Sequence, residues 1–236
     1  MNRKETHPYL KEGIIKGANR LILGSFPVFA CTDPDSSEKL KIRNTDGTVR
    51  FFYGSSKNKF WGLYHEYIDS DVIVPVRKTA ALKSLRKKKI AMSDIIVSCR
   101  RKGKSSSDSD LYDKEYNVEM IQIMIQNGVT KVLCTSKGVL TDFDWKVMSS
   151  IEGVKFDKAL TKAFSDKFLG GLNVRLSSSN KGICFVYRFK KQIIYALAIP
   201  SPGSPQRQAH NFGCGSEDKV VYTKKYFMKA FKWIKK

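Results

Sequence analysis

The chain has 236 residues, of which 42 % are hydrophobic. This is enough apolar material to bury a real core, which excludes a disordered chain or a short peptide held by covalent staples. Lys and Arg number 43 against 22 Asp and Glu, a formal net charge of +21, and that excess favours a polyanionic partner, nucleic acid first and an anionic membrane surface second.

The first twenty residues contain no apolar run of signal-peptide type. The stretch Ile193 to Ile199 is among the longest apolar runs, far short of the roughly 20 residues that span a bilayer. The five Cys are scattered with no C-x-x-C pair, and the three His (His7, His65, His210) stand apart with no metal-ligand spacing. A cytoplasmic, reduced protein with no metal and no cofactor is the expectation.

Arg20 to Leu23 forms the first apolar strand, ended by Gly24 and the loop Ser25-Phe26-Pro27. A strand stopping at a glycine-led loop is where backbone amides become available to a ligand. Residues 31–50 are polar, with turn signals at Asp33-Pro34 and Asp46-Gly47, and predict a surface insertion. The cluster Phe51-Phe52-Tyr53-Gly54 leads to Asn58, after which Phe60 to Ile68 shows helical spacing. A second helix is expected over Thr79 to Lys88, then a strand or turn-plus-strand over Met92 to Cys99, and a polar loop over 100–110. Tyr116 to Asn127 predicts a helix closed by Gly128, followed by a buried strand at Lys131 to Cys134 that delivers Thr135-Ser136. Beyond a less informative stretch, Asp157 to Phe168 predicts an amphipathic helix and 176–182 a turn-rich segment. The runs 182–188 and 192–199 predict a hairpin whose second strand delivers Pro200-Ser201-Pro202-Gly203-Ser204-Pro205. The last helix is expected over Thr223 to Ile234. This alternation predicts α/β layering with a mostly parallel sheet, as one domain over 1–236, with the ligand loops following the strands.

Residues 77–104 hold eleven basic side chains against Asp94 alone. Contacts to phosphate need cations and loop amides and little else. No Walker loop, dinucleotide glycine fingerprint, nucleophile elbow or zinc-deaminase signature is present.

The loops in their order resemble the uracil-DNA glycosylase superfamily, with the hypoxanthine-DNA glycosylase and mismatch-type branch nearest. The resemblance lies in Leu21-Ile22-Leu23-Gly24-Ser25-Phe26-Pro27, in Phe52-Tyr53-Gly54-Ser55-Ser56-Lys57-Asn58-Lys59-Phe60-Trp61, in Ser93 to Gly103 with Ser107-Asp108-Ser109-Asp110, in the opening His7-Pro8-Tyr9, and in Pro200 to Pro205. The departures are Val28 after Pro27, Ser56-Lys57 ahead of Asn58, and Thr135-Ser136 where the branch commonly has Asn-Gly.

That resemblance implies a three-layer α/β/α domain and a monomeric, monofunctional glycosylase that acts on DNA. The enzyme would remove a deaminated base, uracil or hypoxanthine, and leave an abasic site. The alternative is a nucleic-acid-binding protein that keeps the fold without the activity. The implied catalytic set is Asn58, positioning water, with the Gly24 and Ser25 amides facing the departing base. Phe26, Pro27, Tyr53, Asp94 and Thr135 would form the base pocket. Lys57, Lys59, Arg100, Arg101, Asp108, Ser201, Gly203, Ser204 and Arg207 would face the DNA. An Asn before a helix also serves as a plain cap, and Asp108 in a serine-rich loop as a plain turn residue.

Overall fold

The computed structural model describes residues 3–32, 49–105, 107–172, 174 and 182–236. In chain order the elements are β1 (Lys4–Thr6), β2 (Arg20–Gly24), α1 (Phe29–Thr32), α2 (Phe60–Tyr67), α3 (Lys78–Lys88), β3 (Ile90–Asp94) and β4 (Ile96–Arg101). There follow β5 (Leu111–Tyr116), α4 (Val118–Gln126), β6 (Lys131–Cys134), α5 (Lys137–Asp142), β7 (Val154–Phe156) and α6 (Lys158–Leu169). The chain ends with β8 (Cys184–Phe189), β9 (Gln192–Ala198), α7 (Pro205–Gln208) and α8 (Lys219–Lys235).

The main sheet has the order β3-β2-β6-β9-β8-β7. Its first four strands are parallel, while β8 runs antiparallel to β9 and β7 antiparallel to β8. The architecture is α/β, with helices flanking a mixed, mostly parallel sheet. The parallel strands are apolar on both faces, as burial between layers demands: Leu21, Ile22, Leu23, Met92, Val132, Leu133 and Ala196 have no exposed surface. Helix α8 packs on β6 and on α2, α6 on β8, α5 on β9, and α3 on β3.

The expected strand over Met92 to Cys99 is two strands divided at Ile95. β3 stays in the main sheet, whereas β4 joins β1 and β5 in a separate antiparallel sheet. The loop expected over 100–110 is therefore shorter, because Arg100 and Arg101 close β4. Tyr116, expected in a helix, ends β5 instead. The helix waits until Val118 because Asn117 is tied to the end of β3, its Nδ2 donating to Ser93 Oγ (3.0 Å) and the Asp94 carbonyl (3.1 Å). The last helix begins at Lys219, ahead of the expected Thr223, since the Asp218 carboxylate accepts from the Val220 and Val221 amides. The 182–199 hairpin forms as expected, turning at Lys190-Lys191. Most of the 31–50 insertion and of the 176–182 segment lies outside the described residues.

One outer edge of the main sheet is β3, and the 3-10 turn Leu10–Gly13 lies against it. Gly13 makes this possible: a Cβ there would come within 1.9 Å of the Met92 carbonyl oxygen. All five cysteines are free thiols. No helix among the described residues is long and apolar enough to cross a membrane.

Arg101 ties the two sheets and the Ser25-Phe26-Pro27 loop together. Its side chain is 2 % exposed and meets the Glu5 carboxylate at 3.1 Å. It also donates to the Ser105 carbonyl (2.6 Å) and the Pro27 carbonyl (2.8 Å). Glu5 additionally accepts from the Thr32 hydroxyl at 2.6 Å. The sequence reading placed Arg101 on the DNA surface; the structure instead turns this guanidinium inward, where burial is compensated by the Glu5 charge and the carbonyl acceptors. Arg100, on the opposite face of β4, pairs with Asp113 at 3.3 Å. Glu5→Ala removes the carboxylate that meets the buried guanidinium at 3.1 Å and is expected to lower unfolding free energy by about 3–5 kcal/mol, while the apolar pair Glu5→Leu/Arg101→Met costs much less. Denaturant titration of the two variants checks the difference.

Candidate active site

The register of the parallel strands sets where a site forms. Gly24 pairs with Asp94, Leu23 with Cys134, and Cys134 with Ala198. Four strands thus end at one edge of the sheet and release their loops together, as ligand-binding edges of open α/β sheets do. The loops enclose a cleft of about 710 Å³, within the range of small-ligand sites, about 300–1,000 Å³.

Most of the residues singled out from sequence meet here. Ser25, Phe26, Pro27, Tyr53, Asp94 and Thr135 line the cleft, and so do Lys57, Asn58 and Asp108. The 200–205 loop adds Ser201, Gly203 and Ser204, and the short helix α7 adds Arg207. This loop is joined to the other wall by the Lys59 amide, which donates to the Pro202 carbonyl at 3.3 Å. Lys59, Arg100 and Arg101 are not among the lining residues, and Gly24 stands behind the wall rather than in it.

A buried polar group forms the floor. The Tyr9 amide donates to His7 Nδ1 (3.0 Å), so the ring proton sits on Nε2 and is donated to Asp94 Oδ2 (2.8 Å). The two side chains are 0 % and 6 % exposed. The other carboxylate oxygen, Asp94 Oδ1, has no hydrogen-bond partner among the described residues, and neither does the buried Tyr53 hydroxyl. Both oxygens press on Gly24: a Cβ there would lie 2.1 Å from Asp94 Oδ1 and 2.4 Å from the Tyr53 hydroxyl. Burial first, then the Asp94 charge, push the Tyr53 phenol well above its usual range, so it keeps its proton. Thr135 lies beside this hydroxyl without a hydrogen bond of full geometry. Tyr53 also has φ of 54°, a conformation that costs a non-glycine residue about 1–3 kcal/mol and is held by its surroundings, here by stacking on Phe60 at 4.3 Å between ring centres.

Asn58 sits at the side of the cleft, just before α2. Its Oδ1 accepts from the Phe60 amide at 2.9 Å. The capping contact expected of any Asn at this place is present, and it fixes the carboxamide; the NH₂ group has no other partner among the described residues. Phe26 is 7 % exposed, edge-on to His7 at 5.7 Å with the Arg101 guanidinium 5.8 Å from its ring centre, so a narrow part of it reaches the cleft. The amides of Ser25 and Phe26 donate to no backbone oxygen among the described residues. Opposite them, Asp108 accepts from Ser25 Oγ at 2.8 Å. Asp108 is open to solvent at the cleft mouth, yet cleft atoms crowd its carboxyl. That crowding raises its pKa, Asp94 adds to the rise, and the Ser25 hydrogen bond opposes it.

Several contributors carry no sequence signal of their own. His7 appeared only as part of an opening motif, and its pairing with a carboxylate 87 positions away is a product of β1 lying on β4. Lys137, Gln208, Asn211 and Phe212 also line the cleft. Of these, Gln208 serves the loop itself, its Oε1 accepting from the Ser201 amide at 2.9 Å.

No family model matches the chain, and no curated protein matches it. Among solved structures, it is similar to the solution NMR structure of a candidate uracil DNA glycosylase from Methanosarcina acetivorans. That protein is 17 % identical, the match covers 97 % of this chain and 99 % of that one, and the TM-score is 0.48. A likeness at this level assigns no chemistry to this chain.

Two outcomes follow for the floor and the mouth. Gly24→Ala forces Asp94 or Tyr53 aside and is expected to cost about 1–3 kcal/mol, with part of the loss recovered when Tyr53→Phe is added. Tyr53→Phe alone is expected to change stability little, because the hydroxyl it removes makes no hydrogen bond of good geometry to the described residues. Denaturant unfolding of the single and double variants reads both. The raised Asp108 carboxyl means that the folded protein holds this proton more tightly than the unfolded chain, so stability falls as pH rises through the carboxylate range. Asp108→Asn is therefore expected to match or exceed the parent at neutral pH and to lose that advantage at low pH, as thermal unfolding across pH will show.

Proposed function

We propose that the protein is a DNA glycosylase of the monofunctional kind, which hydrolyses the N-glycosidic bond of a deaminated base extruded from DNA. The observation that carries this reading is convergence: the loops at 25–28, 53–58, 107–109, 135–136 and 201–204, far apart in sequence, line one cleft. Of these, 25–27, 53–58, 107–109 and 201–204 belong to the segments whose order resembles the uracil-DNA glycosylase superfamily, while Val28 and Thr135-Ser136 depart from it. The three-layer arrangement of that family, with a single domain over 1–236, belongs to the same proposal, as does action by a monomer.

Removal of a base requires it to leave the stack and enter a pocket. The cleft, of about 710 Å³, is large enough for a base, and its lining includes Lys57 and Arg207, both exposed, for the flanking phosphates. Bond cleavage develops positive charge on the sugar and negative charge on the leaving base. Donors fixed in advance serve the second charge best, and the amides of Ser25 and Phe26, which donate to no backbone oxygen among the described residues, are such donors. Asn58, held by the Phe60 amide, presents a carboxamide that orients a water toward the anomeric carbon. It is too weak a base to take the proton early, which suits a reaction whose sugar becomes cationic before water bonds to it. Phe26 contributes a wall for the base. Uracil and hypoxanthine both offer a carbonyl next to a ring N–H, which matches the mixture of donors and acceptors in the cleft.

Asn58→Ala is expected to lower the single-turnover rate of base release by about tenfold or more, a barrier rise of about 1.4 kcal/mol. Duplex affinity is expected to change far less, since a neutral amide contributes little to the electrostatic part of binding. The measurement is base release from duplexes carrying one uracil or one hypoxanthine, with protein in excess, alongside affinity in the same buffer. Binding to every duplex without release of any base would replace the enzyme reading with that of a binding protein.

A further inference from the structure

A second groove opens beside the cleft. It measures about 360 Å³ and shares Tyr53, Gly54, Ser55 and Asn58 with the cleft as a common wall. Its far wall is Val74, Pro75 and Val76, and Trp61 also lines it. The segment that forms this far wall is built to show apolar groups to solvent. Val72 and Val76 are buried at 1 % and 4 % exposure and pin both ends, whereas Ile73 is 73 % and Val74 51 % exposed between them. Asp69 holds the start of the segment, accepting from Ser84 Oγ (2.5 Å) and the Asp71 amide (3.3 Å).

Cations frame this apolar spur. Lys57 and Lys59 are exposed and flank Asn58 of the shared wall in sequence, and Arg77 is exposed directly after Val76 of the far wall. Beyond Arg77, α3 carries exposed Lys83, Arg86 and Lys87 and no acidic residue. Asp71, the carboxylate nearest in sequence to the spur, pairs with Lys87 at 3.4 Å. An apolar edge between cations suits a strand whose phosphates lie on the outside and whose bases can be unstacked against side chains.

We propose that this groove is a second nucleobase subsite, which receives the base next to the extruded one, with Ile73 and Val74 wedged against the opened stack and Lys57, Lys59 and Arg77 on the adjoining phosphates. This rests on the DNA-binding part of the proposed function and not on catalysis. It assigns the 72–77 segment a role that neither its sequence nor the cleft motifs suggested.

The test uses the full chain and a duplex with a stable abasic analogue, so that no base has to be cleaved. 2-Aminopurine placed next to the analogue reports unstacking by its fluorescence, and anisotropy of an end label reports affinity. The variants are Ile73→Ser/Val74→Ser and, as a control that also removes two exposed apolar groups, Val220→Ser/Val221→Ser on α8. All four positions are exposed, so melting temperatures are expected to stay with the parent. The fluorescence gain is expected to fall by about fivefold or more in Ile73→Ser/Val74→Ser, which removes the apolar wedge, and to persist in the control. An unchanged gain in Ile73→Ser/Val74→Ser, or no gain in the parent despite tight binding, overturns the subsite while leaving DNA binding intact. Absence of duplex binding by the parent at low salt removes the DNA reading and the subsite together.

Discussion

The site depends on a missing methyl group. Parallel pairing sets Gly24 opposite Asp94, and only a residue without Cβ lets the Asp94 carboxylate and the Tyr53 hydroxyl close over that position. Everything at the cleft floor follows. Asp94 is held by His7 through Oδ2, and its Oδ1 and the Tyr53 hydroxyl both lie over Gly24. Tyr53 accepts an unfavourable backbone conformation to bring its ring onto Phe60, and the same loop carries Asn58 to the side of the cleft. Two oxygens of the floor, Asp94 Oδ1 and the Tyr53 hydroxyl, make no hydrogen bond to the described residues. Such an arrangement costs stability in the free protein, and folds retain it where the groups have work to do.

Charge is divided between scaffold and surface. The net charge of +21 favours a polyanionic partner, but its arginines and lysines have distinct duties. Arg101 is internal and binds the antiparallel sheet to the Pro27 carbonyl. Arg20 closes the far end of the sheet by donating to the Lys88 and Lys235 carbonyls. Lys57 and Arg207 are exposed and line the cleft, and Arg77 is exposed next in the chain to Val76 of the second groove. Local position, rather than total charge, separates these roles.

The parallel strands, the 182–199 hairpin and the helices at 60, 78 and 158 were legible because each buries a distinct apolar pattern. The short strands β1, β5 and β7 were not. Lys4–Thr6 and Leu111–Tyr116 alternate few apolar residues and owe their form to pairing with β4. Of the site, the loops that end strands were legible, since a strand stopping at Gly24, Cys134 or Ala198 must expose its loop at the sheet edge. The grip of His7 on Asp94 was not, because it depends on which sheet β1 joins. The inward turn of Arg101 was hidden for a related reason: alternation along β4 decides which of two adjacent arginines faces Glu5, and the register shifts in that strand blur the alternation.

Gly13 bears on how copies of this chain meet one another. A bare outer strand is a template on which another molecule can add its own backbone, the first step toward fibres and swapped dimers. Here the turn at Leu10–Gly13 occupies the flank of β3, leaving that side of the sheet little backbone to offer. The opposite flank, β7, is only three residues long and carries Lys155 between Val154 and Phe156, and both shortness and lysine oppose such growth. Crowding at high concentration therefore finds little purchase on the sheet, and a bulkier side chain at position 13 would expose an apolar strand to its neighbours.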